Sequence, residues 1–238
     1  MAPPGFLFCC DPLRPRHPDP EFAREAAAAR RAGARIALID HDALLAGDTR
    51  TAVGRVGPDS GPYGYRGWMI PAGHYGELER ALADRGCSLR TGATAYRTAH
   101  ELPGWYEAFA GLTPNSVWRA LPAGGPPPDP AVWSVLAGAL GPGPGIVKDF
   151  VKSRKHEWHE ACFVPELEDG ERLARVVGRF LELQGEFLTG GVVLRAYESF
   201  VPGGEARVWW VVEVGDGQVS GLPAGDDGAW LFAALLAS

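Results

Sequence analysis

The densest chemistry in the sequence lies between residues 148 and 155. Four cations, Lys148, Lys152, Arg154 and Lys155, face one acid, Asp149, in a chain that is acidic overall. Such a cluster, on a strand and the loop after it, is either a solvated basic loop or a seat for an anion such as a triphosphate. Lys148 is its sharpest member. It interrupts the apolar run Gly145–Phe150 (GIVKDF), where a charge must reach a cleft or suffer a heavy burial cost. No Walker A sequence occurs, so phosphates would be held by side chains under a sheet and not by a glycine-rich loop. Glu213 stands among Val211, Val212 and Val214, an unusual setting for a routine surface acid, and reads as a site residue. A carboxylate there needs a cation or hydrogen-bond donors if it is buried. Asp149 and Asp216 are the next candidates to hold a metal, although Asp216, between Gly215 and Gly217, has the setting of a turn residue.

Other features carry less. His156-Glu157-Trp158-His159 lacks the i, i+4 histidine pair of the zinc proteases. Gly215, Gly217 and Gly221 are no dinucleotide fingerprint, because Pro223 follows where a helix should open. Cys9 and Cys10 sit in an apolar run and read as core thiols. The aromatic-rich stretches Tyr65–Trp68 and His100–Tyr106 read as packing surfaces, with Arg66, Trp68 and His100 as minor candidates for substrate contact.

The elements that must position these residues alternate along the chain. Gly5–Cys9 is a buried-type strand, followed by Asp19-Pro20-Glu21, which supplies an N-cap, a proline at the first helical position and an acidic first turn. An alanine-rich helix closes at Arg30, Arg31 and Gly33, and Arg35–Asp40 is a second strand. Tyr65–Ile70 and Cys87–Arg90 are further strand candidates on either side of a helix over Tyr75–Arg85. Strands interleaved with helices imply βαβ units, a Rossmann-like layer without the glycine-rich NAD fingerprint. His100–Leu112 and Ala131–Leu140 read as helices, and Leu121–Pro130 (LPAGGPPPDP) as a linker or surface loop. Farther on, Glu171–Phe187 is an amphipathic helix, and Gly190–Tyr197 and Arg207–Val214 are strands, giving an α+β half.

The chain has 238 residues with 46% apolar and 22% charged, enough for a sizeable core and for one large domain or two small ones. A net charge of −6 argues against a generally basic nucleic-acid surface. Four cysteines without a CxxC fit a reduced cytoplasm and exclude a disulfide-stapled fold. The run Phe6–Cys10 is too short for a signal peptide, and Ala229–Ala237 is half the length a bilayer span needs, so it reads as a short terminal helix. The expectation is a cytoplasmic protein without membrane partners.

The stretch Ile146-Val147-Lys148-Asp149-Phe150-Val151-Lys152-Ser153-Arg154-Lys155-His156-Glu157-Trp158 resembles the start of an ATP-grasp domain. It is similar, more narrowly, to the clade named for one signature arginine and two lysines. The resemblance continues through Gly190–Arg195, Glu205–Trp210 and Val212–Gly221, while Cys10–Leu13, Tyr65–Met69 and His100–Tyr106 resemble the accompanying pre-ATP-grasp region. It implies a Rossmann-like pre-ATP-grasp domain over 1–112 and an ATP-grasp domain of two α+β subdomains over 113–238. It also implies ATP and Mg²⁺ as cofactors, with a small carboxylate or amino-acid-like substrate activated as an acyl phosphate and attacked by an amine or similar nucleophile. Lys148 and Lys155 fit the two signature lysines, with Lys152 competing for the second role. Arg195 fits the signature arginine, and with Arg207 makes up the implied catalytic pair facing phosphate or substrate. Glu198 fits the adenine or ribose end, and Glu213, helped by Gln218, the metal end. In the family, further structure separates the Arg-x-Trp-Trp strand from the Glu-x-Gly-Asp-Gly-Gln segment. Here Trp209-Trp210 runs directly into Val211-Val212-Glu213, so the C-terminal subdomain is expected to be internally shortened and to lack one acidic metal ligand. Two functions stay open, an ATP-dependent ligase and a non-catalytic or degenerate nucleotide-binding protein.

Overall fold

A computed structural model describes residues 5–199, 211, 214, 222 and 225–237. By packing, the chain divides into two units, Met1–Arg97 with Gly215–Ser238, and Thr98–Val214.

In the first unit the initial apolar run forms β1 (Gly5–Asp11), buried along its whole length. The Asp11 carboxylate organises the turn that follows by accepting from the Leu13 and Arg14 backbone and from Arg14 Nε. The chain returns as β2 (Arg14–Pro18), antiparallel to β1. This strand was not expected from a sequence so rich in proline. Pro15 and Pro18 are tolerated because β2 lies at the sheet edge, where a missing donor costs little. Asp19 then accepts from the Glu21 N–H at 2.9 Å, and a 3₁₀ turn leads into α1 (Ala23–Arg31). After Gly33, β3 (Arg35–Ile39) pairs parallel with β1 from Gly5↔Arg35 to Cys9↔Ile39.

Two short helices, α2 (His41–Leu45) and α3 (Thr49–Ala52), start at Asp40 and Asp48, whose side chains accept from backbone N–H groups three residues on. β4 (Tyr63–Arg66) pairs parallel with the other edge of β1. The strand expected over Tyr65–Ile70 stops at Arg66. A Cβ on Gly67 would lie 2.6 Å from Cys9 Sγ, and the Tyr65 hydroxyl donates to the Trp68 carbonyl, drawing the chain into a turn. Next come α4 (Ala72–Ala83) and α5 (Ala93–His100). Between them Cys87–Arg90 makes only a single parallel bridge, Tyr63↔Leu89, with the Tyr63 N–H donating to the Ser88 carbonyl and the Arg90 N–H to the Tyr63 carbonyl. Alternation sorts the sheet into two faces. Leu7, Cys9, Ile39 and Tyr65 meet α4 and α5, where Tyr75 and Tyr96 stack at 3.9 Å, and Phe6 and Phe8 meet the alanines of α1.

The second unit is an antiparallel sheet with its two longest helices on one face. Its elements are α6 (Leu102–Trp105), β5 (Ser116–Ala120), α7 (Ala131–Gly138), β6 (Gly145–Asp149), β7 (Phe163–Val164), α8 (Gly170–Gln184) and β8 (Gly191–Ala196). The strand order is β5-β8-β6-β7. β5 was not read from the sequence. The proline-rich stretch 121–130 leaves β5 and enters α7, so it is a surface loop within this unit. Asp169 accepts from the Arg172 N–H to begin α8, whose Leu173, Val176, Val177 and Phe180 form its buried face. Gly191, at φ 149°, lets β8 begin directly against β5, where a Cβ would fall on the Arg119 carbonyl oxygen.

The last element, α9 (Ala229–Ala237), belongs to the first unit. Phe232 is fully buried there, edge-on to Phe6 at 5.0 Å, and Arg90 Nη1 donates to the Leu235 carbonyl at 3.0 Å. The division expected between 112 and 113 therefore differs from the packing, which breaks the chain after Arg97 and assigns the terminal helix to the N-terminal sheet. An apolar segment that covers an aromatic sheet face need not be near it in sequence. Among the described residues no helix is long and apolar enough to cross a membrane.

Candidate functional site

The two faces of the second sheet have different jobs. Val147, Val192 and Leu194 point to α7 and α8 and join their core. Alternation therefore sends Ile146 and Lys148 of β6, and Val193 and Arg195 of β8, to the opposite face. The registers Ile146↔Arg195 and Lys148↔Val193 make these four neighbours on that face. Ser116 and Trp118 of β5 join them through Ser116↔Arg195 and Trp118↔Val193. Part of this face is closed by Leu102 and Trp105 of α6, which pack with Val193 and Phe150. Beside it opens a cleft of about 230 Å³, lined by Pro114, Ile146, Trp158, Arg195, Tyr197 and Glu198.

Aromatic rings wall this cleft. Trp158 stacks on Phe163 with centroids 5.2 Å apart and planes at 11°, and Tyr197 meets both rings edge-on. Trp158 is supplied by a π-type helical turn over Trp158–Cys162, an irregularity often found at functional positions.

Arg195 is only 4% exposed although it lines the cleft. Its guanidinium donates to Thr113 Oγ1 at 2.9 Å, to Ser116 Oγ at 3.4 Å and to the Val211 carbonyl at 3.4 Å. It also lies 5.9 Å from the centre of the Trp105 ring, within cation–π reach. These contacts compensate the desolvation of a buried charge and fix the plane of the guanidinium.

The four cations of residues 148–155 separate in space. Lys148 is half-buried on the sheet face. Its charge reaches Cys162, whose thiol is nevertheless pushed up to about 11 by burial, against the pull of a Ser153 hydrogen bond and of Lys148. Arg154 pairs with Glu157 at 3.1 Å. Lys152 and Lys155 are exposed on the loop and do not line the cleft. Asp149 holds that loop together. Its Oδ1 accepts from the Val151 and Lys152 N–H groups, and its Oδ2 from Gln184 Nε2 and the Thr189 N–H. With four donors on two oxygens, this carboxylate is a loop organiser and has little capacity left for a metal.

Glu198 lines the cleft beside Arg195, so the structure brings Lys148, Arg195 and Glu198 to one region and leaves Lys152 and Lys155 at its outer loop. Arg207, Glu213, Gln218 and Asp216 lie outside the described residues. Among the described residues no group of three or more His, Cys, Asp or Glu could hold a metal ion, and Glu198 is the one acid on the cleft. In the first unit Arg66 is occupied by Glu25, and Trp68 Nε1 donates to Asp19 at 3.0 Å. All four cysteines are buried and reduced. Sequence reasoning missed Thr113, Ser116, Tyr197 and the wall role of Trp158. The signal for Trp158 and Tyr197 was there, as aromatics beside the basic stretch and Arg195.

Residues 138–211 match the model of an ATP-grasp domain family, the third family of the clade named for one arginine and two lysines. The match covers β6, β7, α8 and β8, among them the two strands that carry Lys148 and Arg195. Among solved structures, the chain is similar to a RimK domain protein ATP-grasp from Sphaerobacter thermophilus, with 16% identity, a TM-score of 0.46, and 82% of this chain and 64% of that one covered. It is similar also to the D-cycloserine synthetase DcsG, with 16% identity, a TM-score of 0.47, and 81% and 59% covered. The chain thus spans less than two thirds of the length of either. No curated protein matches it.

Proposed function

We propose that the chain binds ATP on the open face of the second sheet and acts as an ATP-dependent carboxylate–amine ligase. The observation that carries this reading is the placement of Lys148 and Arg195 on one face, beside an aromatic-walled cleft, within the segment that matches the ATP-grasp model. The base would lie against Trp158 and Tyr197, with Glu198 at its polar edge, because an apolar wall with one polar group suits a purine. Lys148 and Arg195 would hold phosphate oxygens by charge-assisted hydrogen bonds, with Lys152 and Lys155 approaching from the loop. Mg²⁺, bound through Glu213 and Gln218 with phosphate oxygens, would neutralise charge developing on the phosphates.

In the reaction a substrate carboxylate oxygen attacks the γ-phosphorus and ADP leaves. An amine then attacks the acyl carbon of the acyl phosphate and inorganic phosphate leaves. Arg195 and Arg207 would stabilise the oxygens of these transfers. The direct run of Trp209-Trp210 into Val211-Val212-Glu213 favours a second reading, a nucleotide-binding protein that does not complete the reaction.

Calorimetric titration with ATP, for wild type and Lys148→Ala, tests the site. The variant is expected to bind about 1.5–3 kcal/mol more weakly. Equal and measurable affinity would remove Lys148 from the site. Release of ADP, screened against amino acids and small carboxylic acids, separates the two readings. Turnover with any of them supports the ligase, and ATP binding without turnover supports the second reading.

A further inference from the structure

The hydrogen bonds around Arg195 single out a residue that no sequence motif marked. Thr113 is 1% exposed and precedes β5 by three residues. Its hydroxyl donates to the Val211 carbonyl at 2.6 Å, and the Val211 N–H donates to the Leu112 carbonyl at 2.7 Å. A hydroxyl has one proton. With that proton committed to Val211, the oxygen that meets Arg195 Nη2 at 2.9 Å is an acceptor of fixed direction. Ser116 is arranged alike, since its hydroxyl donates to the Pro114 carbonyl and its oxygen faces Arg195 Nη1. Trp105 lies against the guanidinium as a third constraint.

We infer that Thr113 is a positioning residue for phosphate recognition. It sets the orientation of the Arg195 guanidinium at the cleft, and Ser116 reinforces it. This rests on the nucleotide reading above. The ligand class affected is the polyphosphate and not the nucleoside, because Thr113 acts only through Arg195. A guanidinium that loses its fixed acceptor can rotate away from the geometry that matches phosphate oxygens, and bidentate recognition depends on that geometry.

The test is calorimetric titration of ATP and, separately, of adenosine into the full chain as wild type, Thr113→Val and Thr113→Ser. The valine keeps the branched shape and removes both hydrogen bonds, and the serine keeps the hydroxyl. Thr113→Val is expected to weaken ATP about tenfold and leave adenosine within about twofold of wild type, a loss typical of one charge-assisted bond. Thr113→Ser should recover most of the ATP affinity. Undiminished ATP binding by Thr113→Val overturns the inference, as does an equal loss of ATP and adenosine, or a serine variant as weak as the valine. Should the valine variant fail to fold, Ser116→Ala provides the same split between ATP and adenosine on a smaller scale, and the same outcomes decide. A wild type that binds adenosine and ATP equally overturns this inference while leaving a nucleoside site standing, whereas a wild type that binds neither removes the nucleotide reading itself.

Discussion

Each unit of this protein buries an arginine at the end of a strand, and the two are held in opposite ways. Arg66, 3% exposed at the end of β4, pairs with Glu25 of α1 through two bonds, Nε to Oε2 at 2.5 Å and Nη2 to Oε1 at 3.0 Å. Arg195, equally buried near the end of β8, is held by two hydroxyls, a carbonyl and an indole ring, and lines a cleft. A bidentate carboxylate satisfies an arginine within the fold and pins a helix to a sheet. Hydroxyls fix the direction of a cation at a cleft. The sheets explain the difference. β1 is flanked by parallel strands and covered by helices on both faces, so a charge there must be paired internally. The antiparallel sheet has α7 and α8 on one face and can offer charges on the other, which α6 closes only in part.

The largest effect expected from this contrast follows from removing the carboxylate of the first pair. Glu25→Gln leaves Arg66 buried beside a neutral amide and should destabilise the protein by about 3–5 kcal/mol, with partial recovery in Glu25→Gln/Arg66→Met. Denaturant titration measures both. A single variant within about 0.5 kcal/mol of wild type would mean that the pair is no pin.

A smaller effect comes from the thiols, of which Cys9 in the first unit and Cys162 in the second share one tendency. Burial pushes Cys9 up from 9.0 to about 11, partly opposed by its hydrogen bond with Tyr65, and pushes Cys162 up to about 11 as well. Below pH 9 both folded and unfolded thiols hold their protons and contribute nothing to the pH dependence. Above it the unfolded thiol ionises while the folded one does not, so stability falls as pH rises from 9 to about 11 and levels beyond. For Cys9 the loss approaches about 2–3 kcal/mol. Cys9→Ala should flatten that part of the stability–pH curve, and an unchanged slope would show that Cys9 does not carry it.

The smallest effect separates the helices. α1 is built largely of alanine, whereas α8 carries Gly178 mid-helix with nothing within 4 Å of a Cβ added there. Gly178→Ala should raise stability by about 0.5–1 kcal/mol. A lower melting temperature would show that the glycine is needed there.

Much of the scaffold was legible because it rests on local signals. Asp19-Pro20-Glu21 and Asp169 begin helices through hydrogen bonds that their side chains can reach unaided. The runs around β1, β3, β6 and β8 are apolar enough to declare themselves. β2 and β5 were hidden because an edge position relaxes the composition of a strand, letting prolines into one and an exposed arginine, Arg119, into the other. In the candidate site, Lys148 stood out as a charge within an apolar strand. Thr113 and Ser116 gave no such sign, since a hydroxyl matters here only through the register that places Ser116 opposite Arg195. The basic cluster read as one group became three, because the Asp149 turn sends Lys148 to the sheet while Lys152 and Lys155 remain on the outer loop.

The membership of α9 in the first unit bears on the order in which the protein can be completed during synthesis. Residues 1–97 leave the ribosome first, yet the Phe6 and Phe8 face of their sheet acquires Phe232 only after more than a hundred further residues have been added. The second unit is contiguous, so its contacts close while that face of the first is covered by α1 without α9. During that interval the part of the face that Phe232 later covers is open to chaperone capture or to contact with another nascent chain.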